Sequence, residues 1–183
     1  MTCIKAGDLF PDFTYDTPFA AAQHLSQTVQ AADKTILLFL RYYGCTLCQL
    51  DMHEYAAAYD RIKAKNAQLL VVLQSKPETI RGQIKEGDLP FSIICDPDMG
   101  LYKQFGLEVA SSMETMISPE ELPVFAAKKE KMQQLNLSHG AYEGEEMQLP
   151  GYFLLDSHLH VLEAHRAKTI LDMPSVDEMI AKL

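Results

Sequence analysis

Three short runs of nearly unbroken apolar residues, at 35–40 (Thr-Ile-Leu-Leu-Phe-Leu), 69–74 (Leu-Leu-Val-Val-Leu-Gln) and 91–95 (Phe-Ser-Ile-Ile-Cys), are each followed by a helix-like stretch. A strand that is apolar at every position is buried on both faces, which happens at the centre of a parallel sheet. After the first run, Met52, Tyr55, Tyr59 and Ile62 recur at three- and four-residue spacing, which predicts a helix over 45–66 with those side chains in the core. Pro77 suits a first helical position, opening a short helix that ends near Gly87. Asp96, Pro97 and Asp98 supply a turn before a helix over 99–105, which Gly106 closes. Strands that alternate with helices need crossover connections, so the chain is predicted to be α/β with a largely parallel sheet here.

The two ends differ from this pattern. The segment 7–13 mixes turn formers with Phe10 and Phe13 and reads as an irregular arm held down by those rings. Near the other end, 151–156 and 159–163 flank Ser157 and His158 as a β-hairpin, and Pro174 opens a closing helix whose buried side is Val176, Met179 and Ile180. Between them, 107–149 shows no strand pattern and is far longer than a usual connection. Ser118 to Glu121 has the form of a capping box, and 126–135 is rich in helix formers, so a helical insertion is expected. The stretch 138–146, with two glycines and three acids, is expected to be a mobile surface loop.

Length and charge bound the function. A chain of 183 residues with 48% hydrophobic side chains suits one elaborated domain with one sizeable core, spanning 1–183. The longest apolar runs fall well short of the roughly 20 residues that cross a bilayer, and the first residues lack the layout of a secretory signal. A cytoplasmic protein without membrane association is therefore expected. Its net charge of −9 repels phosphate backbones, which argues against nucleic acid as a partner.

Four cysteines are too few for a disulfide-stapled scaffold, and two of them, Cys45 and Cys48, stand three residues apart in Gly-Cys-Thr-Leu-Cys. Cys45 follows a buried strand after a short loop and begins a helix, where free amides and the helix dipole favour its thiolate. Arg41, just upstream, could add positive charge. Cys48 lies on the same side of the first turn and can resolve whatever oxidised form Cys45 takes, closing an intramolecular disulfide. Half of a structural zinc site is the rival reading, but it needs a second ligand cluster. Cys3 and Cys95 are isolated, and His158 and His160 would have to be brought to Cys45. An inert packed pair is the third reading. Cys95, ending a buried strand, reads as a core thiol, and Cys3 as exposed. The six histidines, His24, His53, His139, His158, His160 and His165, show no carboxylate pairing in the sequence and read as surface or satisfied core positions.

The segment 7–13 (Gly-Asp-Leu-Phe-Pro-Asp-Phe), the buried strand before Gly44-Cys45-Thr46, the run 96–106 and Tyr-Phe-Leu-Leu-Asp at 152–156 together resemble the alkyl hydroperoxide reductase and thiol-specific antioxidant superfamily, the peroxiredoxins. The later segments 148–153 and 165–175 are similar to its branch that carries a Cys-x-x-Cys. The resemblance implies a thioredoxin-like fold of the peroxiredoxin type. That fold has a central mixed β-sheet flanked by helices, an N-terminal extension and a helical insertion before the C-terminal hairpin. It makes Cys45 the peroxidatic cysteine, acting on a peroxide or disulfide substrate with Cys48 as resolving thiol. A thioredoxin- or glutathione-type reductant recycles the pair, with no metal or organic cofactor, and a homodimer is in keeping with the superfamily. Departures accompany it: Leu38 and Tyr42 stand where typical members have proline and threonine, and Pro150 where they have arginine. Pro150 instead resembles the cis-proline of thioredoxins, so Tyr42, Tyr43, Gly44, Thr46 and Pro150 are expected to shape the substrate pocket. The alternative function is a non-catalytic module that binds a metal or a partner through the same thiols.

Overall fold

The computed structural model describes residues 3–183. Its centre is a five-stranded mixed sheet in the order β5-β4-β3-β6-β7. The strands are β3 (Lys34–Phe39), β4 (Ala67–Leu73), β5 (Ser92–Cys95), β6 (Gly151–Asp156) and β7 (Val161–Arg166), after a small antiparallel ladder of β1 (Thr14–Tyr15) and β2 (Gln23–His24). β3, β4 and β5 run parallel, with Leu37 opposite Leu70 and Val72 opposite Ile94, whereas β6 returns antiparallel to β3 with Phe153 opposite Leu37. The three apolar runs of the sequence are these parallel strands, and the hairpin is β6 and β7.

The helices are α1 (Leu25–Thr28), α2 (Thr46–Ala57), α3 (Tyr59–Lys63), α4 (Pro77–Arg81), α5 (Gly100–Gln104), α6 (Leu122–Gln134) and α7 (Val176–Ala181). Successive residues of a strand point to opposite faces, and β3 uses both. Ile36 and Leu38 enter one core with Leu50, Met52 and Tyr55 of α2, while Leu37 and Phe39 enter a second with Phe10, Leu25 and Phe105. The second core is an aromatic cluster, with Phe10 and Phe105 centroids 4.5 Å apart and Phe39 edge-on to Tyr102 at 5.2 Å. Phe10 thus pins the N-terminal arm as its sequence suggests.

Two elements differ from expectation, one of them α4, which ends at Arg81 and not near Gly87. The helix predicted over 45–66 is divided at Ala58, whose φ of −97° and ψ of 3° leave the α region, so α2 and α3 are separate. The insertion 107–149 is helical, as expected: it holds two 3₁₀ turns (Met113–Met116 and Pro119–Glu121) and α6, which is docked on α2 through Lys128 to Asp51 (2.7 Å) and Lys131 to Glu54 (2.8 Å).

Candidate thiol site

β3 carries the chain into the loop that precedes α2. Leu40 N–H still bonds the Val72 carbonyl at 3.1 Å, and the buried Tyr102 hydroxyl lies 2.6 Å from the Leu40 carbonyl and 2.9 Å from that of Val72. One phenol therefore fastens the ends of β3 and β4 where the loop leaves the sheet. Cys45 N–H then donates to the Tyr42 carbonyl at 3.1 Å, and Cys45 caps α2 with its sulfur accepting the Cys48 N–H at 3.4 Å. Both thiols are free and buried, with no surface of Cys45 reached by solvent (0%) and 4% of Cys48.

Arg41 joins the pair. Its Nη2 lies 3.0 Å from the Cys45 sulfur, and its backbone N–H donates to the Cys48 sulfur at 3.4 Å. The hydrogen bond from the Cys48 thiol, the Arg41 guanidinium and the helix-start amide outweigh burial. Together they bring Cys45 from 9.0 down to about 6. Burial and the bond to Cys45 push the Cys48 thiol well up. Two like groups at one site are driven apart, leaving one thiolate and one proton-bearing thiol at neutral pH.

A strap made of residues 138–146 is bonded to the residues that surround this pair. Gly140 N–H donates to the Gly44 carbonyl at 2.8 Å, Gln49 Nε2 to the Ser138 carbonyl at 3.0 Å, and Arg41 Nη1 to the Glu146 carbonyl at 2.6 Å. Farther along, the Lys76 amide (3.1 Å) and the Thr79 hydroxyl (2.9 Å) hold the Glu143 carboxylate, and Gln74 Oε1 accepts the Glu145 amide at 2.5 Å. Gly44 must lack a side chain here, because a Cβ would stand 2.3 Å from the Ala141 carbonyl oxygen. The segment lies at the surface, as expected, but it is bonded down beside the thiol loop and does not hang free, which its glycines explain, since they allow backbone to approach backbone.

His139 belongs to the strap. Its Nδ1 lies 2.8 Å from the Gly140 carbonyl, which can only accept, so the proton sits on Nδ1 and Nε2 accepts the Tyr42 hydroxyl at 3.0 Å. Burial raises Tyr42 to about 12, which keeps that phenol protonated and donating. Tyr142 packs 4.2 Å from the His139 ring centroid.

Of the expected pocket residues, Tyr42 and Gly44 contact the strap, and Tyr43 is tied through its N–H to the Ser75 hydroxyl at 2.8 Å. Thr46 and Leu47 open a groove of about 430 Å³ that Met113, Met116, Phe125 and Met132 continue into the insertion. Pro150 departs from expectation: its peptide bond is trans, and its carbonyl accepts the Ala167 N–H at 3.1 Å. Lying next to β7, that carbonyl is used inside the fold. Two histidines do pair with carboxylates, His160 with Asp156 (2.9 Å) and His165 with Asp172 (3.5 Å). The sequence could not show these pairs because hairpin and loop geometry, not helical spacing, makes them. Cys95 is half-buried at the end of β5, with burial raising it to about 12, and Cys3 is exposed. Among the described residues no cluster of three or more His, Cys, Asp and Glu side chains is placed to hold a metal ion. Sequence reading missed His139, Gln49 and Glu146, whose parts are played through main-chain contacts or across long stretches of chain.

The family model described as AhpC/TSA matches residues 6–164. No curated protein matches the sequence. Among solved structures, the chain is similar to a peroxiredoxin 6 variant of Arenicola marina (TM-score 0.66, 12% identity, 97% of this chain and 70% of that one). It is also similar to the yeast mitochondrial 1-Cys peroxiredoxin resolved through the glutathione and thioredoxin systems (TM-score 0.65, 11% identity, 97% and 73%). A third likeness is to a Chlorobium tepidum protein described as a thiol:disulfide interchange protein DsbE (TM-score 0.58, 16% identity, 97% and 96%). At these identities the likeness speaks for the thioredoxin-like, peroxiredoxin-type fold.

Proposed function

Because the chain belongs to the AhpC/TSA family, we propose that it is a thiol-dependent antioxidant oxidoreductase in which Cys45 is the nucleophile and Cys48 the resolving thiol. The observation that carries this reading is the Arg41 guanidinium 3.0 Å from a Cys45 sulfur whose partner Cys48 keeps its proton. A thiolate is the attacking form, and here it is the dominant one without a separate base.

The steps balance on the chain's own sulfur atoms. The Cys45 thiolate attacks a peroxide oxygen, the O–O bond breaks, and the departing alkoxide or hydroxide takes a proton, leaving a sulfenic acid. Attack by Cys48 sulfur expels water and forms the Cys45–Cys48 disulfide. With a disulfide oxidant, Cys45 forms a mixed disulfide and releases one substrate thiol, after which Cys48 releases the other. Either route passes one electron pair to the substrate, and an external thiol reductant of the thioredoxin or glutathione type returns it. That the yeast neighbour is resolved through those two systems supports this choice of reductant. Arg41 keeps the attacking sulfur ionised, and Tyr42, Gly44 and Thr46 bound the approach.

Reduced protein is treated with hydrogen peroxide, an organic hydroperoxide or a protein disulfide, then alkylated and examined by mass spectrometry. A Cys45–Cys48 disulfide formed with at least one oxidant is the expected result. Cys45 and Cys48 still separately alkylated after all three oxidants would falsify the cycle.

A further inference from the structure

The strap bears on what the site acts upon, and the inference rests on the thiol reading above. Cys45 has no surface open to solvent, and residues 138–146 are bonded to its neighbours Arg41, Gly44 and Gln49. What holds the strap there is mostly main chain. The Gly44 carbonyl takes an N–H of the strap, while Gln49 and Arg41 donate to two of its carbonyls, those of Ser138 and Glu146. Each of these holds uses an atom that every polypeptide carries and a peroxide lacks. Gly44, bare of a side chain, leaves a slot of backbone width over α2. Where the slot ends at Thr46 and Leu47, the methionine-lined groove begins, and flexible thioether side chains suit neighbours of varied shape.

The strap is also imperfectly sealed. Gln74 Nε2 and Glu143 Oε2, one on each side of its contact with the body, are buried without a protein partner. Displacing the strap frees both for hydration, which lowers the cost of exchanging it for another chain.

We propose that residues 138–146 occupy, in the resting molecule, the place taken by a stretch of another polypeptide when its disulfide is delivered to Cys45. The substrate class is then a protein disulfide, and the strap is its internal competitor. Cys45 thiolate attacks one substrate sulfur, the S–S bond breaks, and the second substrate sulfur leaves and takes a proton. Cys48 then attacks Cys45, its proton passes to the first substrate sulfur, and the substrate departs as a dithiol while the pair is oxidised.

The test uses the full chain, a synthetic peptide with one internal disulfide, hydrogen peroxide, and the free peptide of sequence 138–146. Gly140→Pro removes the N–H that bonds Gly44, and Gln49→Ala with His139→Ala loosens the strap through side chains, so the idea does not depend on one variant folding. Both variants should raise the rate of Cys45 alkylation by iodoacetamide about tenfold, the effect of losing one or two hydrogen bonds. In the loosened protein the free 138–146 peptide should protect Cys45 from alkylation and compete with the disulfide peptide, while a scrambled peptide does neither. A loosened protein that consumes hydrogen peroxide while the 138–146 peptide gives no protection and the disulfide peptide is not reduced overturns the proposal and leaves the redox reading standing. If neither oxidant converts Cys45 and Cys48 to a disulfide in any variant, the redox reading fails and takes the proposal with it.

Discussion

The guanidinium of Arg41 lies 3.0 Å from the sulfur of Cys45, and the two side chains come from opposite ends of one short loop between β3 and α2. Arg41 also holds the Glu146 carbonyl at 2.6 Å, so the group that favours the thiolate also fastens the strap. Oxidising Cys45 to a neutral disulfide removes the charge on one side of that arrangement while the other side stays unchanged.

Replacing Arg41 by methionine keeps most of the side-chain bulk and removes the charge. The pH profile of Cys45 alkylation should have its inflection near 6 in the parent protein. In Arg41→Met it should move up by roughly one unit or more, the usual effect of losing an adjacent opposite charge. The same variant loses a strap contact, so its rate at high pH, where every thiol is ionised, should rise rather than fall. An inflection that stays near the parent value would show that Arg41 does not govern the thiolate.

Cys48 acts on its partner twice. Its thiol is the foremost cause of the lowered Cys45 value, and it is the expected resolving group. Cys48→Ser keeps a hydroxyl donor at that place and removes the second sulfur. Oxidation by peroxide should then stop at a Cys45 sulfenic acid, trapped by dimedone in stoichiometric yield, where the parent protein gives little adduct. Equal trapping in both proteins would mean that Cys48 does not resolve Cys45.

The sheet and the cysteine pair were legible in the chain for one shared reason: their signals are local. Strands buried on both faces read as unbroken apolar runs, as with Leu37 and Leu38, which enter different cores. A cysteine between a strand and a helix reads as an N-cap from its neighbours alone. The strap was not legible, because Arg41 and Glu146 are 105 positions apart and meet through a carbonyl, which leaves no side-chain signature. Glycines and acids at 138–146 look the same whether the segment hangs free or lies on backbone. Pro150 was misread for a related reason, since an X-Pro sequence does not state its isomer and the surrounding fold decides it.

Stability of the reduced protein should follow the Cys45 proton. Its folded value of about 6 lies below the ordinary thiol value of 9.0, so its contribution is fully present above 9.0 and is lost as pH falls through 6. Between those limits the unfolded chain binds more protons, and stability should rise with pH by up to about 1.4 kcal/mol per unit. Cys48, pushed the other way, reverses the trend above the ordinary value. Urea denaturation under dithiothreitol should therefore show the difference between the parent protein and Cys45→Ser growing from pH 6 toward 9. A difference independent of pH would remove the claim that folding depresses this thiol.

Tyr102 gives a prediction that separates scaffold from chemistry. Its buried hydroxyl serves the carbonyls of Leu40 and Val72, at 2.6 and 2.9 Å, where β3 and β4 end and the thiol loop begins. Tyr102→Phe keeps the ring edge-on to Phe39 and removes only the donor, which leaves buried carbonyl groups with less hydrogen bonding than they have now. Such a loss should cost about 1–2 kcal/mol, which for a chain of this length lowers Tm by roughly 2–8 °C. The Cys45 inflection should remain near 6, because the contacts that set it come from Cys48 and from Arg41, and the phenol itself is not among them. A variant with unchanged Tm would show that the phenol is not a fastener, and a displaced inflection would show that the thiol pair depends on the sheet ends it ties together.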